Sequence, residues 1–202
     1  LDCRSLERQL VPVVMEQAVF VIANTNCPRG LTGSKYNDRV AECGEAVRVL
    51  RETTGRDGTH LRDFTQAELE AARGGMSEMV YRRARHVITD NDRTRQACEA
   101  LSSGDLPRFG ALMNASDRSL REDYEVTNRE LDAMTSIARS LPGCLGSRMT
   151  GAGFGGCTVS LVLRDEADHF CAELSRRYQE ATGRVGETYV TRAADGASVA
   201  SA

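Results

Sequence analysis

The stretch that most constrains this chain runs from Ser147 to Val162, Ser-Arg-Met-Thr-Gly-Ala-Gly-Phe-Gly-Gly-Cys-Thr-Val-Ser-Leu-Val, with four glycines in the six positions 151–156 and a run of β-formers directly after. Glycine costs backbone entropy, so this density belongs where the chain takes left-handed angles or where something approaches its backbone closely. Two readings follow. One is a tight turn between a helix and a strand. The other is a concave nest of backbone N–H groups that holds an anion.

Two common phosphate motifs do not fit. No Gly-Lys-Ser/Thr follows the glycines, as a Walker loop requires. A dinucleotide fingerprint follows a strand and opens a helix; here the pattern puts a helix, about Thr127 to Leu141, before the loop and the strand Cys157 to Leu163 after it.

With 202 residues the chain can bury a sizeable core as one domain, or one plus an appendage. A net charge of −3 gives no electrostatic case for nucleic acid or an anionic membrane as partner. No apolar run reaches bilayer length and no signal peptide is evident. Seven cysteines, odd in number and without a Cys-x-x-Cys pair, argue against a disulfide framework or zinc site and for a reducing cytoplasm. His60, His86 and His169 stand apart, so no metal site is expected. Lys35 is the only lysine beside 25 arginines. The chain opens on Leu1-Asp2-Cys3-Arg4-Ser5-Leu6 without a methionine and reads as the later part of something longer.

Along the chain, Leu1 to Leu6 and Gln9 to Val14 read as a hairpin, and Ala18 to Ala23 as a buried strand that ends in a polar turn, Asn24 to Gly30. Lys35 to Thr53 predicts a helix with Val40, Cys43, Val47 and Leu50 on its apolar face. Thr65-Gln66-Ala67-Glu68 has the form of a capping box. Further helices are predicted for Met76–Ser102, for a segment capped by Asp105 with Pro107 in its first turn, for the Thr127 segment and for Asp165–Ala181, before a last strand around Val185–Thr191. The fold class is α+β: a small, mainly antiparallel sheet covered by helices.

The whole string Met149-Thr150-Gly151-Ala152-Gly153-Phe154-Gly155-Gly156-Cys157 closely resembles the third signature motif of the galactokinases, sugar kinases of the GHMP superfamily. Further blocks resemble the same family in the same order. They are Asp2 to Leu6; Asn24-Thr25-Asn26 with Leu31, Tyr36, Arg39, Glu42 and Cys43; Arg82 to Val87; Ser119 to Val126; and Ala193 to Ala197. Three positions depart from it: Pro28-Arg29, Asp117 and Asn128-Arg129 stand where a basic residue with histidine, a histidine, and Cys-Pro are common.

The resemblance implies a GHMP-kinase C-terminal-type domain over residues 24–202, with residues 1–23 as strands continuing from an N-terminal lobe. It implies ATP with Mg2+, and galactose, as what the whole enzyme handles. The ATP serine loop, the magnesium ligands and the catalytic aspartate are expected in that N-terminal lobe, so no catalytic or metal residue is assigned in this chain and the isolated chain is expected to be inactive. Thr150, Gly151, Ala152, Gly153, Phe154, Gly155 and Gly156 form the expected phosphate loop. A side chain at Gly153 or Gly155 would obstruct an approaching phosphate, Gly151 and Gly156 serve the turn, and Thr150 adds a hydroxyl or packs at the loop base. Tyr36 is the expected sugar contact, its ring for a C–H face and its hydroxyl for one hydrogen bond; the other reading has it pack the helix start.

Phe154 anchors the loop in this reading. Arg148 reaches a phosphate or makes a surface ion pair, and Lys35 is a phosphate contact or a solvated loop lysine. His86 is structural, Asp123 and Asp195 cap or brace, and Arg82, Arg83 and Arg85 form a charged helix face. The function expected is galactose phosphorylation at O1. Set against it are a sister kinase for N-acetylgalactosamine or a uronic acid, a non-catalytic sugar and ATP sensor, and an α+β interaction module.

Overall fold

A computed structural model describes residues 1–13, 15–28 and 33–194. Val14, Arg29, Gly30, Leu31 and the block from Asp195 to Ala197 lie outside the described residues.

Four strands form one antiparallel sheet. β1 (Ala18–Asn24) and β3 (Cys157–Leu163) pair along their whole length, from Ala18 opposite Leu163 to Asn24 opposite Cys157. β2 (Cys144–Met149) lies outside β3 and β4 (Glu187–Thr191) outside β1, in the order β2-β3-β1-β4. Alternation decides the two faces. Val19, Val21, Ala23 and Val162 point to α5 (Arg129–Ser140) and α6 (Ala167–Thr182), where they meet Met134, Ala138, Leu141, Phe170, Leu174 and Tyr178. Ala18, Phe20, Val159 and Leu161 point to α4 (Leu106–Ser119), against Phe109 and Met113. Each fully buried side chain of this size contributes roughly 1.5–3 kcal/mol.

β2 is absent from the sequence reading, and Gly110 shows why it can sit where it does. A Cβ at Gly110 would stand 2.2 Å from the carbonyl oxygen of Leu145, and one at Gly146 would stand 2.2 Å from that of Gly110. Helix and strand therefore touch backbone to backbone, which only glycine permits.

A second core, away from the sheet, joins α1 (Gly33–Thr54), α2 (Gln66–Ala72) and α3 (Glu78–Ser102) through Leu50, Leu61, Phe64, Leu69, Tyr81, Ala84 and Ile88. Cys43 and Val47 pack against it as expected, while Val40 is exposed. The capping box at Thr65 forms in full. Asp105 caps α4 with Pro107 in the first turn. At α5 the cap is Asn128, whose side chain accepts from the Leu131 amide, and not Thr127.

The hairpin expected from Leu1–Leu6 and Gln9–Val14 is corrected. Residues 1–13 contain no strand, and of the stretch 1–23 only the part from Ala18 onward is extended in the sheet. Leu1, Leu6 and Leu10 are all exposed, so no described element of the chain packs on the segment's apolar side chains as a partner strand would. Leu6 takes φ +61°, which breaks an extended run. Ion pairs from Asp2 to Arg62 and from Arg4 to Asp63 hold the segment instead.

Candidate functional site

The glycine run joins β2 to β3, so it connects two strands and not a helix to a strand. Its base is closed by the Thr150 amide and hydroxyl, which both donate to the Cys157 carbonyl at 2.9 and 3.1 Å. Thr150 therefore serves the loop base. On the β1 side, the Gly156 carbonyl accepts the Thr25 amide at 3.0 Å and its hydroxyl at 2.6 Å, and the Gly156 amide donates to the Cys27 carbonyl at 3.1 Å. On the other side, the Phe154 amide donates to the Val126 carbonyl at 2.7 Å.

Between these ties the backbone is left-handed: φ is +72° at Gly151, +84° at Gly153, +59° at Phe154, +138° at Gly155 and +88° at Gly156. Phe154 is the one residue of the five with a Cβ, a conformation that costs roughly 1–2 kcal/mol. Its ring offsets this by packing beside Leu120, Val126, Leu131 and Met149. Gly153 is needed for contact within the chain: a Cβ there would stand 2.0 Å from the Val126 carbonyl oxygen.

The amides of Thr150, Phe154 and Gly156 are thus used internally. Those of Gly151, Ala152, Gly153 and Gly155 have no acceptor among the described residues. Gly151 and Ala152 are exposed, so their N–H groups are open to a ligand from solvent. Gly153 and Gly155 are buried, so the exposed pair is Gly151 and Ala152, two consecutive amides able to donate to an anion.

Tyr36 lies in the first turn of α1 and is 66% exposed. It does not pack the helix start into the core. Lys35, next to it, places its ammonium 5.2 Å from the centre of the Phe154 ring, so the start of α1 stands over the loop. Expected sugar contact, lone lysine and glycine run come together at one end of the molecule.

Other candidates fall elsewhere. Arg148 is on β2 beside α3 and α4, and its Nε donates to the Met149 carbonyl. His86 is buried, stacked on Tyr124 and within 3.0 Å of the Ser119 hydroxyl, which donates to Asp123. Burial holds its pKa down to about 4, so it is neutral. The order is histidine, serine, carboxylate, with the serine in the middle, which activates no nucleophile. Burial also pushes the Tyr124 hydroxyl up to about 12. Asp117, a departure from the family pattern, is 1% exposed; it accepts from the Met149 amide and from Arg139 and so braces the end of β2 that leads into the loop.

The charged helix face expected of Arg82, Arg83 and Arg85 is corrected for Arg83. Its side chain is 2% exposed and pairs with Glu42 at 2.9 Å and Glu125 at 2.7 Å. A buried guanidinium needs such partners, which lie 41 and 42 positions away in sequence.

A cleft of about 1290 Å³ lies between α1, α3 and the N-terminal segment, and a groove of about 500 Å³ between the sheet, α3 and α4. Neither includes Tyr36 or a residue of the loop; Tyr36, Gly151 and Ala152 are exposed, an open shelf of surface residues. Among the described residues no three His, Cys, Asp or Glu side chains converge as a metal site, and no helix is long and apolar enough to cross a membrane.

The family described as GHMP kinases C terminal matches residues 97–180, which takes in α4, α5, the glycine loop and most of α6. Galactokinase of Fusobacterium nucleatum is 44% identical over 198 residues, covering 98% of this chain and 51% of that protein. The chain carries a GHMP kinase C-terminal domain. Human galactokinase is 45% identical over 199 residues, again 98% of this chain and 48% of its own length. The crystal structure of Lactococcus lactis galactokinase complexed with galactose superposes with a TM-score of 0.89 at 42% identity, over 95% of this chain and 49% of that one. This GHMP kinase domain therefore spans about half the length of the curated relatives it matches, and corresponds to their C-terminal half. Its α+β architecture is that of the galactokinase structure.

Sequence reasoning missed two features of this candidate site. One is the anchoring of the loop on Val126, signalled only by a glycine at 153. The other is the arginine cluster under the turn at 120–126.

Proposed function

We propose that this chain is the C-terminal part of an ATP-dependent galactokinase, which transfers the γ-phosphoryl group of ATP to O1 of D-galactose. The observation that carries the reading is the 44% to 45% identity with galactokinases over 98% of the chain, together with a fold match to a galactokinase that binds galactose. The chemistry fits the shelf. In the transfer, the O1 oxygen bonds to the γ-phosphorus, the bond to the β–γ bridging oxygen breaks, ADP leaves, and the hydroxyl proton is released to a base. Phosphoryl transfer is mainly positioning and charge stabilisation. In this reading the exposed amides of Gly151 and Ala152 face the phosphates, Thr150 and Gly156 hold the loop ends, and Phe154 anchors its middle. Lys35 adds positive charge, and Tyr36 offers its ring and hydroxyl to the sugar.

An open shelf cannot enclose a substrate, because small-molecule sites bury most of a ligand's surface. The reading therefore assigns the facing wall to an N-terminal lobe of the same enzyme, with the catalytic aspartate and the ATP serine loop. Magnesium enters with ATP and, in this reading, takes its protein ligands from that lobe. The C-terminal domain begins with β1, and the residues before Ala18 lead into it from the lobe. The seven free thiols suit a cytoplasmic enzyme.

The test is ADP release with galactose by the complete protein and by the 202-residue chain alone, across a panel that includes N-acetylgalactosamine and galacturonic acid. Turnover with galactose by the complete protein and none by the chain alone is expected. Binding without ADP formation makes the protein a sensor, preference for another sugar makes it a sister kinase, and phosphorylation by the chain alone overturns the assignment of the catalytic groups.

A further inference from the structure

The turn from Leu120 to Tyr124 is π-helical and ends at Glu125, a non-glycine residue at φ +53° and ψ +49°. The last carbonyls of a helical turn have no partner of their own. Here four consecutive ones are met by three arginines from two other helices. Arg82 donates to the Glu122 carbonyl at 2.7 Å, and Arg83 donates to that of Asp123. Arg39 donates through Nε to Tyr124 at 2.6 Å and through Nη2 to Glu125 at 3.3 Å. The fifth carbonyl, that of Val126, receives the Phe154 amide of the glycine loop.

Two carboxylates lock the guanidinium groups to one another. Glu42 bridges Arg39 at 2.7 Å and Arg83 at 2.9 Å, and Glu125 bridges Arg82 and Arg83, each at 2.7 Å. Arg39 and Arg83 each use Nε and both terminal nitrogens on different acceptors, a fan of planar donors that lysine lacks. With Arg83 buried, these contacts act where water competes little.

We propose that Arg39, Arg82 and Arg83, with Glu42 and Glu125, are positioning residues that set the glycine loop through the backbone of residues 122–126. They fix the left-handed turn at Glu125, the turn fixes the direction of the Val126 carbonyl, and that carbonyl fixes the middle of the loop. Arg39 lies one turn after Tyr36 on α1, so the same clamp sets the helix that presents the tyrosine. The geometric half of this stands on its own. Its consequence for phosphoryl transfer rests on the function proposed above.

The experiment uses the complete protein with 15N-labelled phenylalanine and the variants Arg39→Lys, Glu125→Gln and Gly153→Ala. Hydrogen exchange at the Phe154 amide is read by NMR, and kcat/KM with ATP and galactose is read in parallel. In Arg39→Lys and Glu125→Gln the Phe154 amide is expected to exchange at least tenfold faster, with the other phenylalanine amides unchanged. Each variant is also expected to lose at least tenfold in kcat/KM, and Arg39→Lys combined with Gly153→Ala to lose no more than the worse single variant, because both act through Val126. Should Arg39→Lys not fold, Glu125→Gln alone decides, since its side chain is 42% exposed. Unchanged Phe154 exchange overturns the clamp, as does a double variant whose loss is the product of the two. Faster Phe154 exchange in a protein that phosphorylates no sugar upholds the clamp and refutes the kinase reading instead.

Discussion

The Phe154 amide donates to the Val126 carbonyl at 2.7 Å, and the residue before it, Gly153, leaves that carbonyl no room for a Cβ. The loop is therefore held at its middle as well as at its two ends, with Gly151 and Ala152 left exposed.

Gly153→Ala places a methyl 2.0 Å from an oxygen, at φ +84°. The tie to Val126 has to break or the turn at 125–126 has to shift. We expect a loss of about 2 kcal/mol or more of stability and at least a tenfold loss of kcat/KM in the complete protein. Thermal melts and steady-state kinetics check both, and a variant as active as the parent contradicts the loop geometry.

Tyr36 and Lys35 stand on the surface, so replacing them should leave stability within about 0.5 kcal/mol. Tyr36→Ala is expected to raise KM for galactose about tenfold with KM for ATP unchanged. Lys35→Met is expected to do the reverse, several-fold, with an effect that shrinks as salt is added. A melt and two substrate titrations per variant separate the roles.

His86 titrates near pH 6.5 in the unfolded chain, and burial holds it down to about 4 in the fold. The groups facing it are Ser119, Asp123, Asp90, Arg93, Arg148 and Tyr124. Since the folded pKa is the lower one, the stability tied to the neutral ring is complete above pH 6.5. It is lost as pH falls from there to about 4, on the order of 3 kcal/mol in all. In His86→Gln this part of the pH dependence should vanish, as urea unfolding at pH 7, 5.5 and 4.5 would show.

Gly110→Ala puts a methyl 2.2 Å from the Leu145 carbonyl oxygen and so forces α4 away from β2. Although alanine is the better helix former by about 1 kcal/mol, a net destabilisation of about 2 kcal/mol or more is expected. Denaturant titration of Gly110→Ala against Gly74→Ala, whose Cβ meets nothing within 4 Å, provides the comparison.

Elements whose signal is local were legible in the sequence. β3 has the bounds read for it because its run Cys-Thr-Val-Ser-Leu-Val-Leu is apolar, β-branched and flanked by turn signals. The caps at Thr65 and Asp105 depend on side chains within three residues, and they form. What stayed hidden depends on distant partners. β2 contains Gly146 and has no β-run of its own; it is a strand because Gly110 lets α4 lie against it. Arg83 looks like surface until Glu42 and Glu125, from two other segments, surround it. At the candidate site, the glycines announced a tight turn, but nothing local announced that it joins two strands or that Val126 holds it.

The most direct measurement is an NMR titration of the complete protein with ATP, following the backbone amides of residues 150–156. The shifts expected are large and saturable at Gly151 and Ala152, which are exposed and whose N–H groups have no acceptor among the described residues, and small at Thr150 and Gly156, whose N–H groups are bound within the chain. Saturable binding of ATP that leaves Gly151 and Ala152 unmoved would contradict the assignment of this loop to the phosphates.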